Sequence, residues 1–94
     1  MRTDFDFTNT SSPTDIRKHL EGKSIYEMTT WIWDYAQHLK WFCNYDEDKI
    51  ESIIQPFLRI SYYLHKNFKD DCNAIEDFTA LCIVCVLELE MNCR

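Results

Sequence analysis

The amino-acid sequence predicts an all-α protein, a compact helical bundle built from one short helix and three long ones. Three observations support this prediction. The 94 residues include one Gly and two Pro, which is too few turn-forming residues for a β-sandwich of short strands. Apolar residues recur at three- and four-residue spacing through three long segments, as they do on one face of a helix. Each helical segment opens on residues that commonly cap helix N-termini.

The chain is long enough for one domain with a modest core. At 94 residues it is expected to bury about 60–65% of the surface that its unfolded form exposes. Hydrophobic residues make up 46% of the chain, so the domain can fold without a metal ion or disulfide bonds. We predict a single helical-bundle domain over residues 12–94. We expect residues 1–11, in which Phe5 and Phe7 alternate with aspartates, to be a flexible or docked N-terminal arm.

Cap residues mark the first two helices. Pro13 suits the first position of a short helix one, and Gly22 ends that helix because a C-terminal cap favours positive φ. Ser24 and Glu27 have the spacing of a capping box, and helix two is predicted to run from there to about Cys43. Its core face is predicted to comprise Ile25, Met28, Ile32, Tyr35, Leu39 and Phe42.

Helix three is predicted over residues 47–68. Three acids, Asp46–Asp48, place negative charge at its start, where the helix dipole favours it. Pro56 lies inside the helix and removes one backbone hydrogen bond, so we expect a kink or a break over residues 52–55. The predicted core face comprises Ile50, Ile53, Ile54, Phe57, Ser61, Leu64 and Phe68.

Helix four is predicted to begin at a capping box of Asn73 and Glu76 and to run to about Met91. Its predicted core face comprises Phe78, Leu81, Cys82, Cys85 and Leu89. A second apolar face, on the opposite side at about 100° per residue, comprises Ala80, Ile83, Val84, Leu87 and Met91. A helix that is apolar on two sides must be buried on two sides. Helix four is therefore either central in the bundle or, through its second face, at the interface of a homo-oligomer such as a homodimer.

A second stripe on helix two lies away from the core face of that helix. Tyr26, Trp33, Gln37 and Trp41 follow one another there at helical spacing. Tyr and Trp anchor protein interfaces because they bring a large contact area with little rotamer entropy, and they also stack on nucleotide-like ligands. The stripe is therefore a predicted partner-binding surface. The alternatives are a small-ligand site, or a stripe that the N-terminal arm or helix one covers.

The charge balance is acidic, with ten Lys and Arg residues against sixteen Asp and Glu and a formal net charge of −6. No run of Lys or Arg occurs, which argues against direct nucleic-acid binding. An acidic surface suits solubility, a basic protein target or mimicry of a nucleic acid. The sequence shows no signal-peptide pattern and no apolar stretch long enough to span a bilayer. We expect a cytoplasmic protein, in the host cytoplasm if the source is viral.

The five cysteines are interpreted as reduced thiols, since three of them crowd helix four and do not resemble a disulfide framework. Cys82 and Cys85 have C-x-x-C spacing. They lie in mid-helix among aliphatic residues, where buried structural thiols are expected. The other potential zinc ligands are scattered, with no second pair at metal-binding spacing. We therefore predict no metal site and no cofactor.

One segment of helix three offers a candidate for catalysis. The run Arg59-Ile-Ser-Tyr-Tyr-Leu-His65 resembles the Arg-to-His signature of HEPN-type ribonucleases, which are small α-helical dimers. By that resemblance Arg59 would hold a phosphate and His65 would act as the acid–base group in metal-independent RNA cleavage. This chain has Ile60 where the family usually places a polar residue. On a straight helix Arg59 and His65 point about 120° apart.

We favour a protein-binding inhibitor or regulator that acts by steric blocking. The chain is short and acidic, it has more apolar stripes than one core needs, and it contains no further catalytic motif. Phage counter-defence proteins, immunity proteins and antitoxins share these traits as a class, without common ancestry. The chain is accordingly not expected to be an enzyme. One alternative is an oligomer that sequesters a nucleotide-like small ligand. The other is the HEPN-like ribonuclease.

Overall fold

Four helices form a bundle in residues 13–93, the part of the chain that the computed structural model describes. In chain order they are α1 (Pro13–Leu20), α2 (Ile25–Phe42), α3 (Glu47–Phe68) and α4 (Cys72–Asn92). The prediction of an all-α bundle with one short and three long helices is confirmed. The expected N-terminal arm lies outside the described residues.

The boundaries of α1 and α2 follow from local hydrogen bonding. Gly22 ends the first helical segment with φ +79, a conformation that glycine adopts without strain. Ser24 then caps α2. Its hydroxyl accepts from the backbone N–H of Glu27 at 3.1 Å, and the Glu27 carboxylate accepts from the backbone N–H of Ser24 at 2.9 Å. The predicted capping box is therefore present.

The start of α3 is capped by the first of the three acids that the sequence places there. The Asp46 carboxylate accepts from the backbone N–H groups of Asp48 and Lys49, at 3.0 and 3.3 Å. The backbone N–H of Asp46 also donates to the carbonyl of Cys93 at 2.9 Å. This contact fixes the C-terminal end of α4 to the start of α3.

One expectation about a helix boundary is wrong. Asp71, not Asn73, caps α4, because its carboxylate accepts from the N–H groups of Asn73 and Ala74 at 2.8 and 3.3 Å. A charged cap at this end gains from the helix dipole as well as from the hydrogen bonds. At Pro56, α3 continues from Glu47 to Phe68 without the expected break, and a kink there stays a prediction. Ser52, whose carbonyl loses its donor to the proline, is exposed, so water can satisfy that carbonyl.

The helices α2 and α3 pack against each other in antiparallel orientation. Near the start of α2, the hydroxyls of Thr29 and Ser61 are hydrogen-bonded. Near its end, Lys40 contacts Glu51 of the first turns of α3. The buried residues Ile25, Met28, Ile32, Tyr35 and Leu39 of α2 and Ile50, Ile54, Phe57 and Ser61 of α3 confirm most of both predicted core faces.

The helix α4 packs against each of the other three helices. It runs parallel to α2, since Thr79 donates to the Met28 sulfur at 3.5 Å and the Tyr35 hydroxyl donates to the Glu90 carboxylate further along both helices. Its predicted core residues Phe78, Cys82, Cys85 and Leu89 are buried, Leu81 is half-buried, and Val86 is an additional buried residue. Among residues 13–93, no helix has the length and apolarity needed to cross a membrane.

Two aromatic residues differ from their predicted burial. Phe42 and Phe68 were assigned to core faces, but they are 80% and 41% exposed. Each is the last residue of its helix, where the end of the bundle leaves more of the ring open to solvent. Trp31, which was not among the predicted core residues, is buried, with its ring 5.2 Å from that of His19 and stacked at 5.9 Å on that of Tyr35. The contact with His19 shows that α1 covers this tryptophan.

Candidate protein-binding surfaces

The predicted partner-binding stripe forms one exposed face of α2, here called the aromatic face, which consists of Tyr26, Trp33, Gln37 and Trp41. The three rings are 65%, 42% and 70% exposed, and Gln37 is half-buried. The Trp41 indole N–H donates to the Gln37 side-chain oxygen at 3.2 Å. At 100° per residue these side chains lie opposite the buried face of α2. They therefore point away from the bundle.

The aromatic face meets the C-terminal half of α3 at Tyr26. The rings of Tyr26 and His65 lie 6.3 Å apart. Tyr62 and Tyr63 are 68% and 56% exposed, and the Lys66 ammonium lies 5.8 Å from the centre of the Tyr62 ring. These two tyrosines were not among the predicted site residues. Their position off the core face of α3 was the available signal.

Helix one does not cover the aromatic face. Its buried residues, Ile16 and Leu20, face the core, and its His19 ring contacts Trp31 on another side of α2. Trp33 and Trp41 remain exposed beside it. Cover by residues 1–11 lies outside the described part of the chain, so the partner-binding role of the aromatic face stays a prediction.

The second apolar face of α4 is also open to solvent over residues 13–93. Val84 and Met91 are 50% and 79% exposed, Ala80 is exposed and Leu87 is half-buried. We call these four residues the outer ridge. Ile83, the fifth predicted interface residue, packs partly against the core. The described helices thus cover α4 on one side only, and an oligomer interface at the ridge stays a prediction.

Acidic residues border the outer ridge. Glu76, Asp77 and Glu88 are exposed, and α4 contains no Lys, Arg or His from Cys72 to Asn92. Arg17 of α1 lies 4.0 Å from Glu76, with the two side chains 50% and 70% exposed. An ion pair this open to water contributes little. The ridge is therefore an apolar strip in an acidic setting.

The C-x-x-C thiols belong to the core. Cys82 and Cys85 are buried, and burial, with a smaller effect of Cys85, raises the pKa of the Cys82 thiol. Burial, with smaller effects of Glu88 and Cys93, raises the pKa of the Cys85 thiol to about 12. Both thiols are protonated at neutral pH and are poor nucleophiles. The part of the chain that the structure describes brings no three His, Cys, Asp or Glu side chains together as a metal site.

The candidate catalytic residues are not brought together within one chain. Arg59 and His65 are both exposed on α3, and α3 is unbroken between them. Their side chains therefore point about 120° apart around one helix. His65 lies against the Tyr26 ring of α2. The role of these residues in RNA cleavage stays a prediction that needs groups from a second copy.

The described residues form a small α-helical bundle with two exposed apolar surfaces, one on α2 and one on α4. No protein-family model, curated protein or solved structure matches this chain. Exposed apolar patches on small folded domains are commonly interaction sites.

Proposed function

We propose that this protein binds another protein through the aromatic face of α2 and blocks or regulates that partner sterically. The single observation that carries the proposal is the exposure of Tyr26, Trp33 and Trp41 on one side of one helix, at 65%, 42% and 70%. Burying apolar area contributes roughly 25 cal/mol per Å². Three such rings can therefore supply the anchor residues of an interface.

The shape of this surface favours a protein over a small molecule. The residues from Tyr26 to Trp41 lie along the outward side of one helix over about 22 Å. Small ligands prefer concave sites that enclose most of their surface, whereas a partner protein can lie along a helix. At this length the surface can form much of one side of an ordinary interface of about 800 Å² per partner.

The charge of the chain favours a basic partner. The formal net charge is −6, and an acidic protein is steered toward basic surfaces at rates that fall as salt increases. Steric blocking needs no catalytic group. It is therefore compatible with a chain in which Arg59 and His65 point in different directions from α3. This mechanism requires only that the target's working surface be covered.

The experiment compares three full-length, tagged proteins recovered from cells of the natural source: the wild type, a Trp33→Ala/Trp41→Ala double variant and an Ile60→Ala control. Ile60 is 42% exposed, as Trp33 is, but it lies on α3 away from the aromatic face. Intact-mass analysis of each eluate identifies what binds. We expect one stoichiometric protein with the wild type and the control, and its loss with the double variant.

Circular dichroism of the double variant establishes that it is folded. A partner that the double variant retains would contradict the proposal. Recovery of an ultraviolet-absorbing small molecule in place of a protein would also contradict it and would favour the ligand-binding alternative.

A further inference from the structure

The outer ridge of α4 has the geometry of a helix-docking surface that is separate from the aromatic face. Ala80, Val84, Leu87 and Met91 follow at the spacing that places side chains in one row, over about 16 Å of helix. The row lies opposite the buried residues Cys82 and Leu89. An amphipathic helix that docks in this way uses apolar anchors at the same spacing.

The charges around the ridge restrict what can dock on it. At about 100° per residue, Glu76 lies to one side of the ridge, and Asp77 and Glu88 lie to the other. All three are exposed, and α4 itself supplies no compensating cation. A partner that covers the apolar row must place its own flanking side chains beside these carboxylates.

A second copy of this chain would place acids beside acids. If two ridges pack in antiparallel orientation about Val84, Asp77 of one copy lies within about one helical turn of Glu88 of the other. If they pack in parallel, Asp77 lies beside Glu76 of the other copy and Glu88 beside its Glu90. Like charges across an interface are destabilising, so the antiparallel arrangement is disfavoured. The effect is smaller in the parallel arrangement, because Arg17 lies 4.0 Å from Glu76 and the Tyr35 hydroxyl donates to Glu90.

From this charge pattern we infer that the outer ridge binds an amphipathic helix whose apolar stripe is flanked by Lys and Arg, rather than a second copy of this chain. Leu87 and Val84 supply the apolar contact, and Asp77 and Glu88 select the basic flank. This surface goes beyond the proposed function, because it lies on α4 and does not involve Trp33 or Trp41. The protein thus has two separate surfaces, each selecting a partner by its own chemistry.

The test uses full-length protein and two fluorescein-labelled peptides of about 18 residues, or five helical turns. Both peptides carry the same leucine stripe, flanked by Lys in one and by Glu in the other. Fluorescence anisotropy measures binding at low salt. We expect the Lys-flanked peptide to bind at least about tenfold more tightly, and we expect the difference to shrink in 1 M salt, where charges are screened within about 3 Å.

Two variants separate the charged from the apolar contribution. The double substitution Asp77→Lys/Glu88→Lys should reverse the preference toward the Glu-flanked peptide. Leu87→Gln should weaken binding of both peptides about tenfold or more, since it removes a large apolar contact. Tyr62→Ser is the matched control, because Tyr62 is 68% exposed on α3 and its loss should leave both affinities unchanged.

Equal affinity for the two peptides, or no binding of either, would overturn the inference. Sedimentation of the wild-type chain as a dimer that Leu87→Glu converts to a monomer would also overturn it, because a second copy would then occupy the ridge. The Trp33→Ala/Trp41→Ala variant should bind the Lys-flanked peptide as the wild type does. The experiment therefore distinguishes failure of the inference about the outer ridge from failure of the proposed function of the aromatic face.

Discussion

The ammonium group of Lys40 on α2 lies 2.6 Å from the carboxylate of Glu51 on α3, and only 10% of the lysine side chain is exposed. The hydrogen bond from Lys40 and the positive charge of Lys40 hold the pKa of Glu51 below its ordinary value of 4.5. The pair joins the end of α2 to the start of α3, while Thr29 and Ser61 join the other ends of the same two helices. Polar contacts thus fix the antiparallel register at both ends of this helix pair.

A pH-dependent contribution to stability follows from the lowered pKa of Glu51. Because the carboxylate is favoured in the folded state, the stabilisation is fully present above pH 4.5 and is lost as the pH falls through the folded-state pKa. We expect Glu51→Gln to lower the urea midpoint of unfolding at pH 7, and we expect the difference from wild type to shrink at pH 3. Glu21→Gln, at an exposed site, is the control. A difference that is equal at both pH values would contradict this prediction.

The capping box of α2 gives a prediction about helix stability. Replacing Ser24 with Ala removes the hydroxyl that accepts from the Glu27 N–H, and it should destabilise the protein by about 0.5–2 kcal/mol. Ser52→Ala is the matched control, because the Ser52 hydroxyl donates to the nearby carbonyl of Lys49 on an exposed side of α3 and caps no helix. Urea denaturation monitored by circular dichroism measures both. Equal stability of the two variants would show that the cap contributes nothing.

Most of the fold could be predicted from the sequence, because helical spacing and caps are local signals. A few neighbouring residues are enough to identify the cap at Ser24, the helix end at Gly22 and the core positions of α2. Trp31 could not be assigned to the core in this way, since its burial depends on the His19 ring of α1. The exposure of Phe42 depends equally on tertiary structure, because the periodic pattern does not show where neighbouring helices stop covering the face.

The sequence was enough to predict where the candidate surfaces lie on the helices, but it was not enough to predict what binds to them. The spacing of Tyr26, Trp33 and Trp41 was enough to place them on one side of a helix. What binds there depends on a partner whose chemistry this chain does not encode. The outer ridge differs in one respect, because Asp77 and Glu88 beside Leu87 restrict the partner's charge even when the partner is unidentified.

Cysteine reactivity should divide the five cysteines into two groups. Cys43 and Cys72 are exposed, whereas Cys82, Cys85 and Cys93 are buried. The thiolate is the reactive form, so a pKa of about 12 in place of the ordinary 9.0 lowers the thiolate fraction of Cys85 about a thousandfold near pH 8. The greater nucleophilicity of a high-pKa thiolate offsets part of this loss. We expect iodoacetamide to label the two exposed cysteines first and the others only on unfolding, as peptide mass spectrometry would detect. Labelling of Cys82 as fast as Cys43 would contradict this assignment.

The tryptophans of α2 provide a direct measurement of which side of the helix faces the core. Trp31 is 5% exposed and Trp41 is 70% exposed. Trp31→Ala leaves a cavity between α1 and α2 and should destabilise the protein by about 3–5 kcal/mol, a large share of the stability of a small domain. Trp41→Ala should change stability by less than about 0.5 kcal/mol, as surface substitutions usually do.

Urea denaturation of the two variants measures the difference, and circular dichroism establishes how much helix each retains. A large loss of stability in Trp41→Ala would mean that its ring is covered in solution, and the aromatic face would then be part of the fold. The predicted result, a stable Trp41→Ala protein beside a severely weakened Trp31→Ala protein, leaves Trp41 free to contact a partner. A loss of partner binding in Trp41→Ala would then reflect the missing ring and not unfolding.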